Sequence, residues 1–177
     1  MIRRINLLGG PGSGKTALAA KLFGELAAEG HEVEHVGEYI KKWAYQGRHP
    51  ISFDQLYIFA QQLHQEDVKL QHVKHIITDS PILLPAVYAK QYGFKGWERL
   101  LGFIEDFESE FPSLNIILDR TGIKYVDKGR YQTLETAIEI DGLIRDMVKC
   151  CIPYERVHVM PTKDFVAIKE LVVSKIK

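Results

Sequence analysis

The octapeptide Gly9-Gly10-Pro11-Gly12-Ser13-Gly14-Lys15-Thr16 restricts this chain more than any other feature. It satisfies G-x-x-x-x-G-K-[ST] at every position, between an apolar run and an alanine-rich helical pattern. Glycines let the backbone curl so that several N–H groups converge on phosphate oxygens. A helix starting beside Gly14 adds the positive end of its dipole. On this reading Gly10, Pro11, Gly12, Ser13, Gly14, Lys15, Thr16 and Ala17 cradle the phosphates of ATP. Lys15 neutralises the outer phosphates and the Thr16 hydroxyl ligates Mg²⁺. A plain strand-to-helix turn has no need of Lys followed by Thr.

Such a loop belongs in an α/β sheet, and the periodicity agrees. Short apolar runs at Ile2–Leu8, Val33–Val36, His75–Asp79, Leu114–Asp119 and Arg156–Met160 predict strands covered on both faces. Helical spacing occupies Lys15–Glu29, Phe53–His72, Ile82–Tyr92, Trp97–Glu110, Thr133–Cys150 and Lys163–Lys175. In the second of these, Leu56, Phe59, Ala60, Leu63 and Asp67 form an apolar stripe that fades, and Ser52 with Gln55 reads as a capping box. The alternation predicts one domain over residues 1–177, a three-layer P-loop fold with five parallel strands in the order 2-3-1-4-5. The Gly-, Lys- and Arg-rich segment from about 120 to 132 fits neither period and reads as a lid.

Composition excludes several alternatives. Lys plus Arg number 23 and Asp plus Glu 23, so bulk charge does not drive binding to nucleic acid, although a local basic patch still can. No apolar run approaches the roughly 20 residues of a membrane span, and the N-terminal apolar stretch is too short for a signal peptide. Cys150 and Cys151 are neighbours, read as small hydrophobes in a reducing compartment. These features point to a soluble cytoplasmic protein without a membrane partner.

Two acids follow predicted strands. Asp79, in His75-Ile76-Ile77-Thr78-Asp79-Ser80-Pro81, stands where a magnesium shell is completed. Asp79 or Ser80 can also cap the helix that follows. Glu38, in Gly37-Glu38-Tyr39, reaches the same rim as a base for an attacking hydroxyl, a service worth roughly 10²–10⁴-fold. Its structural alternative is a glutamate stabilising a helix over Tyr39–Tyr45. Asp119-Arg120-Thr121-Gly122 spells a GTPase switch, but no guanine-reading motif accompanies it.

The order GGPGSGKT, GEY, ITDSP and a basic lid with GRYQ resembles small P-loop kinases, in particular the phage AAA-type kinases related to the nicotinamide-riboside-kinase domain. That group includes the 5-hydroxymethyluridine DNA kinases of bacteriophages. The resemblance implies Mg²⁺-dependent transfer of the ATP γ-phosphoryl to a hydroxyl of a nucleoside-like or nucleobase-like acceptor, with DNA bearing a modified base as one partner. It also implies Glu38 as base, one of Gln55, Gln61 and Gln62 as a base reader, and Pro161–Asp164 beside the donor purine. The arginine that deoxynucleoside kinases carry after strand three is absent from Asp79-Ser80-Pro81. Arg120 and Arg130 in the lid are the expected phosphate clamps, worth 10³–10⁵-fold in related systems. A monophosphate kinase, using Lys41, Lys42 and Arg48, and a nucleotide-dependent regulatory ATPase are the alternative functions.

Overall fold

The computed structural model describes residues 1–51, 53–126 and 132–176. Its centre is β1 (Arg4–Leu8), flanked by β3 (His75–Thr78) and β4 (Ser113–Asp119). The edges are β2 (Val33–Val36) and β5 (Val157–Pro161), and all pairings are parallel, in the order β2-β3-β1-β4-β5. This is the predicted sheet, with strand ends within two residues of those read from the sequence. Alternation along the two central strands sorts the faces. Ile5 and Leu7 of β1 join Leu114, Ile116 and Leu118 of β4 against α1 (Lys15–Ala28) and α7 (Phe165–Lys175). Leu8 and Ile117 pack on the opposite side with α3 (Asp54–Leu70), α4 (Leu83–Gln91), α5 (Arg99–Glu110) and α6 (Leu134–Cys151). A short α2 spans Lys41–Tyr45.

That second face also holds a polar layer. Arg4, Asn6, Ser113 and Asn115 are all buried on it. The Arg4 guanidinium donates to the Phe111 carbonyl at 2.7 Å, to Glu66 at 3.4 Å and to Glu108. Glu108 also accepts from Ser113 N and from Arg156. A buried guanidinium is tolerable only because its partners are all present, and removal of one leaves an uncompensated charge.

Three expectations need correction. α3 starts at Asp54 with Phe53 at its cap and no capping side chain, so Gln55 is not the far half of a capping box; Ser52 lies outside the described residues. The buried face of α3 is Gln55, Ile58, Phe59, Gln62, Glu66 and Leu70, while Leu56 is 44% exposed and Ala60 is exposed. The apolar stripe was misplaced because three buried positions are polar, two of which, Gln62 and Glu66, find partners outside α3. Cys151 is buried as expected, but Cys150 is exposed.

Candidate functional site

A cleft of about 560 Å³ opens at the carboxyl ends of β1, β2 and β3, where open parallel sheets hold ligands. One wall is the phosphate loop, through Pro11, Gly12, Gly14, Lys15, Thr16 and Ala17. Gly12 and Gly14 have φ of 77° and 90°, a region costly for other residues, and Gly14 caps α1. The cationic end of Lys15 lies over its own loop, Nζ donating to the carbonyls of Gly9 at 2.5 Å and Gly10 at 2.9 Å. Ser13 Oγ is buried without a hydrogen-bond partner among the described residues.

The outer side of the loop is braced by α6. Gly10 N–H donates to Asp141 Oδ1 at 2.5 Å, and Asp141 Oδ2 accepts from Arg120 Nε at 2.5 Å. Arg120 reaches the Pro11 carbonyl at 3.0 Å and the Ala137 carbonyl at 3.3 Å. The approach is so close that a Cβ on Gly10 would lie 2.5 Å from the Ala137 carbonyl. Arg120, expected to clamp the phosphates from the lid, instead meets the phosphate loop from behind, tied to Asp141, and it is not on the cleft wall. Arg130 lies outside the described residues. Asp141 was missed because, within Glu139-Ile140-Asp141-Gly142, nothing separates it from a residue on a solvated helix face.

Glu38 lines the cleft with Lys15 and Thr16. It stands ahead of the first turn of α2, which begins at Lys41 and contains no acid, so the helix-dipole alternative does not describe it. Asp79 follows the last residue of β3 and is 2% exposed; its neighbour Ser80 is the one on the cleft wall. Neither caps α4, whose cap position is Ile82. Asp79 Oδ1 is buried without a hydrogen bond, 3.9 Å from His35 Nε2. An orphaned buried carboxylate oxygen beside a phosphate cradle is the donor expected of a hard-cation site, and the exposed Thr16 adds a hydroxyl. The residues present fit Mg²⁺.

The rest of the cleft is apolar and aromatic, through Ile40, Tyr45, Ile58, Pro85, Tyr88 and Tyr92. Gln55, with Ser80, is a buried polar contributor to it, whereas Gln62 is not on its wall. Gln132 closes one end, donating to Tyr92 Oη at 2.8 Å, while its carbonyl accepts from Tyr125 Oη at 2.5 Å. Both ends of the lid segment are thus fastened. Tyr39, Trp43 and Tyr57 pack on each other, with Trp43 and Tyr57 stacked at 6.2 Å. Lys42 and Arg48 lie over the Tyr39 and Trp43 rings, which leaves Lys41 as the lysine of that group on the cleft wall. On the donor side, Thr162 Cγ2 would meet a Cβ on Gly14 at 2.9 Å, so the loop after β5 abuts the phosphate loop. Asp119 Oδ1 accepts from Thr121 N and Oγ1, a local turn that holds its carboxyl below the usual carboxylate range.

A family model described as an AAA domain matches residues 4–165. No curated protein matches the chain. Among solved structures, NadR protein in complex with NR superposes with a TM-score of 0.73 at 15% identity, covering 99% of this chain and 52% of that one. The chain therefore spans about half the length of that relative. Deoxyadenosine kinase from M. mycoides, with products dCMP and a flexible dCDP bound, gives 0.59 at 17% identity over 98% and 97%. At these identities the likeness is one of fold, and it is the P-loop kinase fold that the sequence predicts.

Proposed function

We propose, from the premise that the chain belongs to the AAA domain family, that it is a kinase transferring the γ-phosphoryl of ATP to a hydroxyl of a nucleoside-like or nucleobase-like acceptor. The observation that carries this reading is one cleft shared by the phosphate loop, Glu38 and an aromatic chamber. The loop N–H groups and the α1 terminus hold the phosphates. Lys15 exchanges its two loop carbonyls for phosphate oxygens. Thr16 and Asp79 would hold Mg²⁺, which when bound neutralises charge on the outer phosphates. Glu38 takes the proton of the acceptor hydroxyl as its oxygen bonds to the γ-phosphorus, and the bond to the bridging oxygen of ADP breaks. Arg120 keeps the loop in shape from behind, and Arg130 is proposed to clamp the phosphates from the lid.

On the acceptor side, Tyr45, Tyr88 and Tyr92 offer ring faces of the kind on which a base stacks, and Gln55 an amide for its edge. This composition, together with the resemblance to phage kinases, supports 5-hydroxymethyluridine in DNA as the acceptor. A monophosphate acceptor would face Lys41 alone of the three cations proposed for it. The test is labelled ATP with a panel of acceptors: nucleosides, monophosphates, and DNA with or without hydroxymethylated pyrimidines. Glu38→Gln should slow transfer by about a hundredfold or more with the KM for ATP nearly unchanged. An unchanged kcat removes Glu38 from this role, and phosphate release indifferent to every acceptor supports the regulatory ATPase instead.

A further inference from the structure

The buried polar face of α3 does work that the cleft alone does not explain. Gln62 is 1% exposed and its Oε1 accepts from the backbone N–H of Tyr39 at 3.1 Å. Tyr39 is the residue after Glu38. One turn further along α3, fully buried Glu66 accepts from the backbone N–H of Ile82 at 3.1 Å through Oε1. Ile82 ends the loop that begins with Asp79. The other Glu66 oxygen faces Arg4 at 3.4 Å, on the strand that runs into the phosphate loop. Gln62 Nε2 makes no hydrogen bond of good geometry, but its amide lies close enough to the Glu66 carboxyl to favour the charged form. Residues four apart share a helix face. One face of one helix therefore grips the loop bearing Glu38, the loop bearing Asp79 and the strand before Lys15.

We propose that Gln62 is a positioning residue for phosphoryl transfer, setting the Glu38 loop against the Asp79 loop through a polar spine it shares with Glu66. This rests on the reading of Glu38 as base. A helix needing only to pack would carry apolar residues at these positions, since burying an amide and a carboxyl is costly unless each finds a partner. Here the partners are backbone N–H groups of two catalytic-rim loops. Without Gln62, Tyr39 N–H has no other acceptor among the described residues, and the Glu38 loop loses its backbone anchor on α3, keeping only side-chain contacts such as Tyr39 Oη with Tyr57 Oη at 2.8 Å. Misplacement of a reacting group by about 1 Å costs on the order of a hundredfold.

The test pairs two variants with Glu38→Gln. Gln62→Met keeps length and removes the acceptor, and Gln62→Glu restores an acceptor oxygen. The expected result for Gln62→Met is a kcat lowered by about ten- to a hundredfold with the KM for ATP unchanged, and recovery of at least tenfold in Gln62→Glu. A purely structural role predicts a lower melting temperature, a reduced active fraction and no selective rescue, and that pattern overturns the proposal. If Gln62→Met keeps full kcat while Glu38→Gln is slow, the spine is wrong and the base stands. If both keep full kcat, the base reading fails as well. Should Gln62→Met not fold, site-resolved amide exchange on the unaltered protein decides: Tyr39 N–H must be protected relative to Glu38 and Ile40, and equal exchange overturns the proposal.

Discussion

Glu66 should make the stability of this protein fall as pH rises from about 4.5 to neutrality, and Glu66→Gln should remove that fall. Complete burial pushes its carboxyl up from 4.5 to about 7, against the opposing pull of the Arg4 guanidinium, of the hydrogen bonds from Arg4 and Ile82, and of the nearby Gln62 amide. A carboxyl raised in the folded state favours that state while it stays protonated. Its contribution is present in full below pH 4.5 and is lost progressively up to about pH 7. At 1.36 kcal/mol per pH unit, that interval is worth about 3 kcal/mol. His75 and His158 work in the other direction. Burial lowers both, so they make stability rise as pH climbs towards 6.5. The informative quantity is therefore the difference between the two proteins, in which the histidines cancel. Gln retains an oxygen for the Ile82 N–H but turns an amide donor towards Arg4, which adds an offset independent of pH. Urea unfolding of both proteins from pH 4.5 to 8 measures it. The unaltered protein should lose about 3 kcal/mol relative to the variant across that range. A constant difference would show that Glu66 ionises as in water, and the argument from burial would be refuted.

Gly10→Ala should push the phosphate loop off Ala137, whose carbonyl would meet the new Cβ at 2.5 Å; nucleotide affinity measured by calorimetry should fall at least about tenfold. Asp141→Ala removes the acceptor of both Gly10 N–H and Arg120 Nε, and should lower stability in thermal melts by about 1–3 kcal/mol. Lys15→Ala should abolish turnover with labelled ATP, because it removes the cation, now resting on the Gly9 and Gly10 carbonyls, that neutralises the outer phosphates. Thr133 caps α6 through its hydroxyl, which accepts from Thr136 N; Thr133→Ala should cost about 1 kcal/mol in denaturant unfolding.

Much of this protein is legible along the chain because its information is local. GGPGSGKT carries its conformation in its glycines, and Gly12 and Gly14 take up the positive φ that the motif requires. The five apolar runs are all strands, but only β1, β3 and β4 are buried on both faces, the edges β2 and β5 being partly exposed, and the helices between them force parallel pairing. The rim positions of Glu38 and Asp79 are legible too, since each follows a strand whose carboxyl end must point to the same rim.

What stayed hidden is whatever depends on a partner far away in sequence. Asp141 resembles any helical acid until the fold brings it 2.5 Å from Gly10 N, 131 residues earlier. Arg120 could be placed near the phosphates, but only the packing of α6 against the loop decided that it approaches from behind. The face of α3 was misread because periodicity counts a buried Gln or Glu as solvent-facing. Local sequence therefore determined the strands, the cradle and the rim, whose conformations are written in neighbouring residues. Tertiary structure alone decided which polar groups are buried, because a polar side chain is worth burying only where the fold supplies its partner.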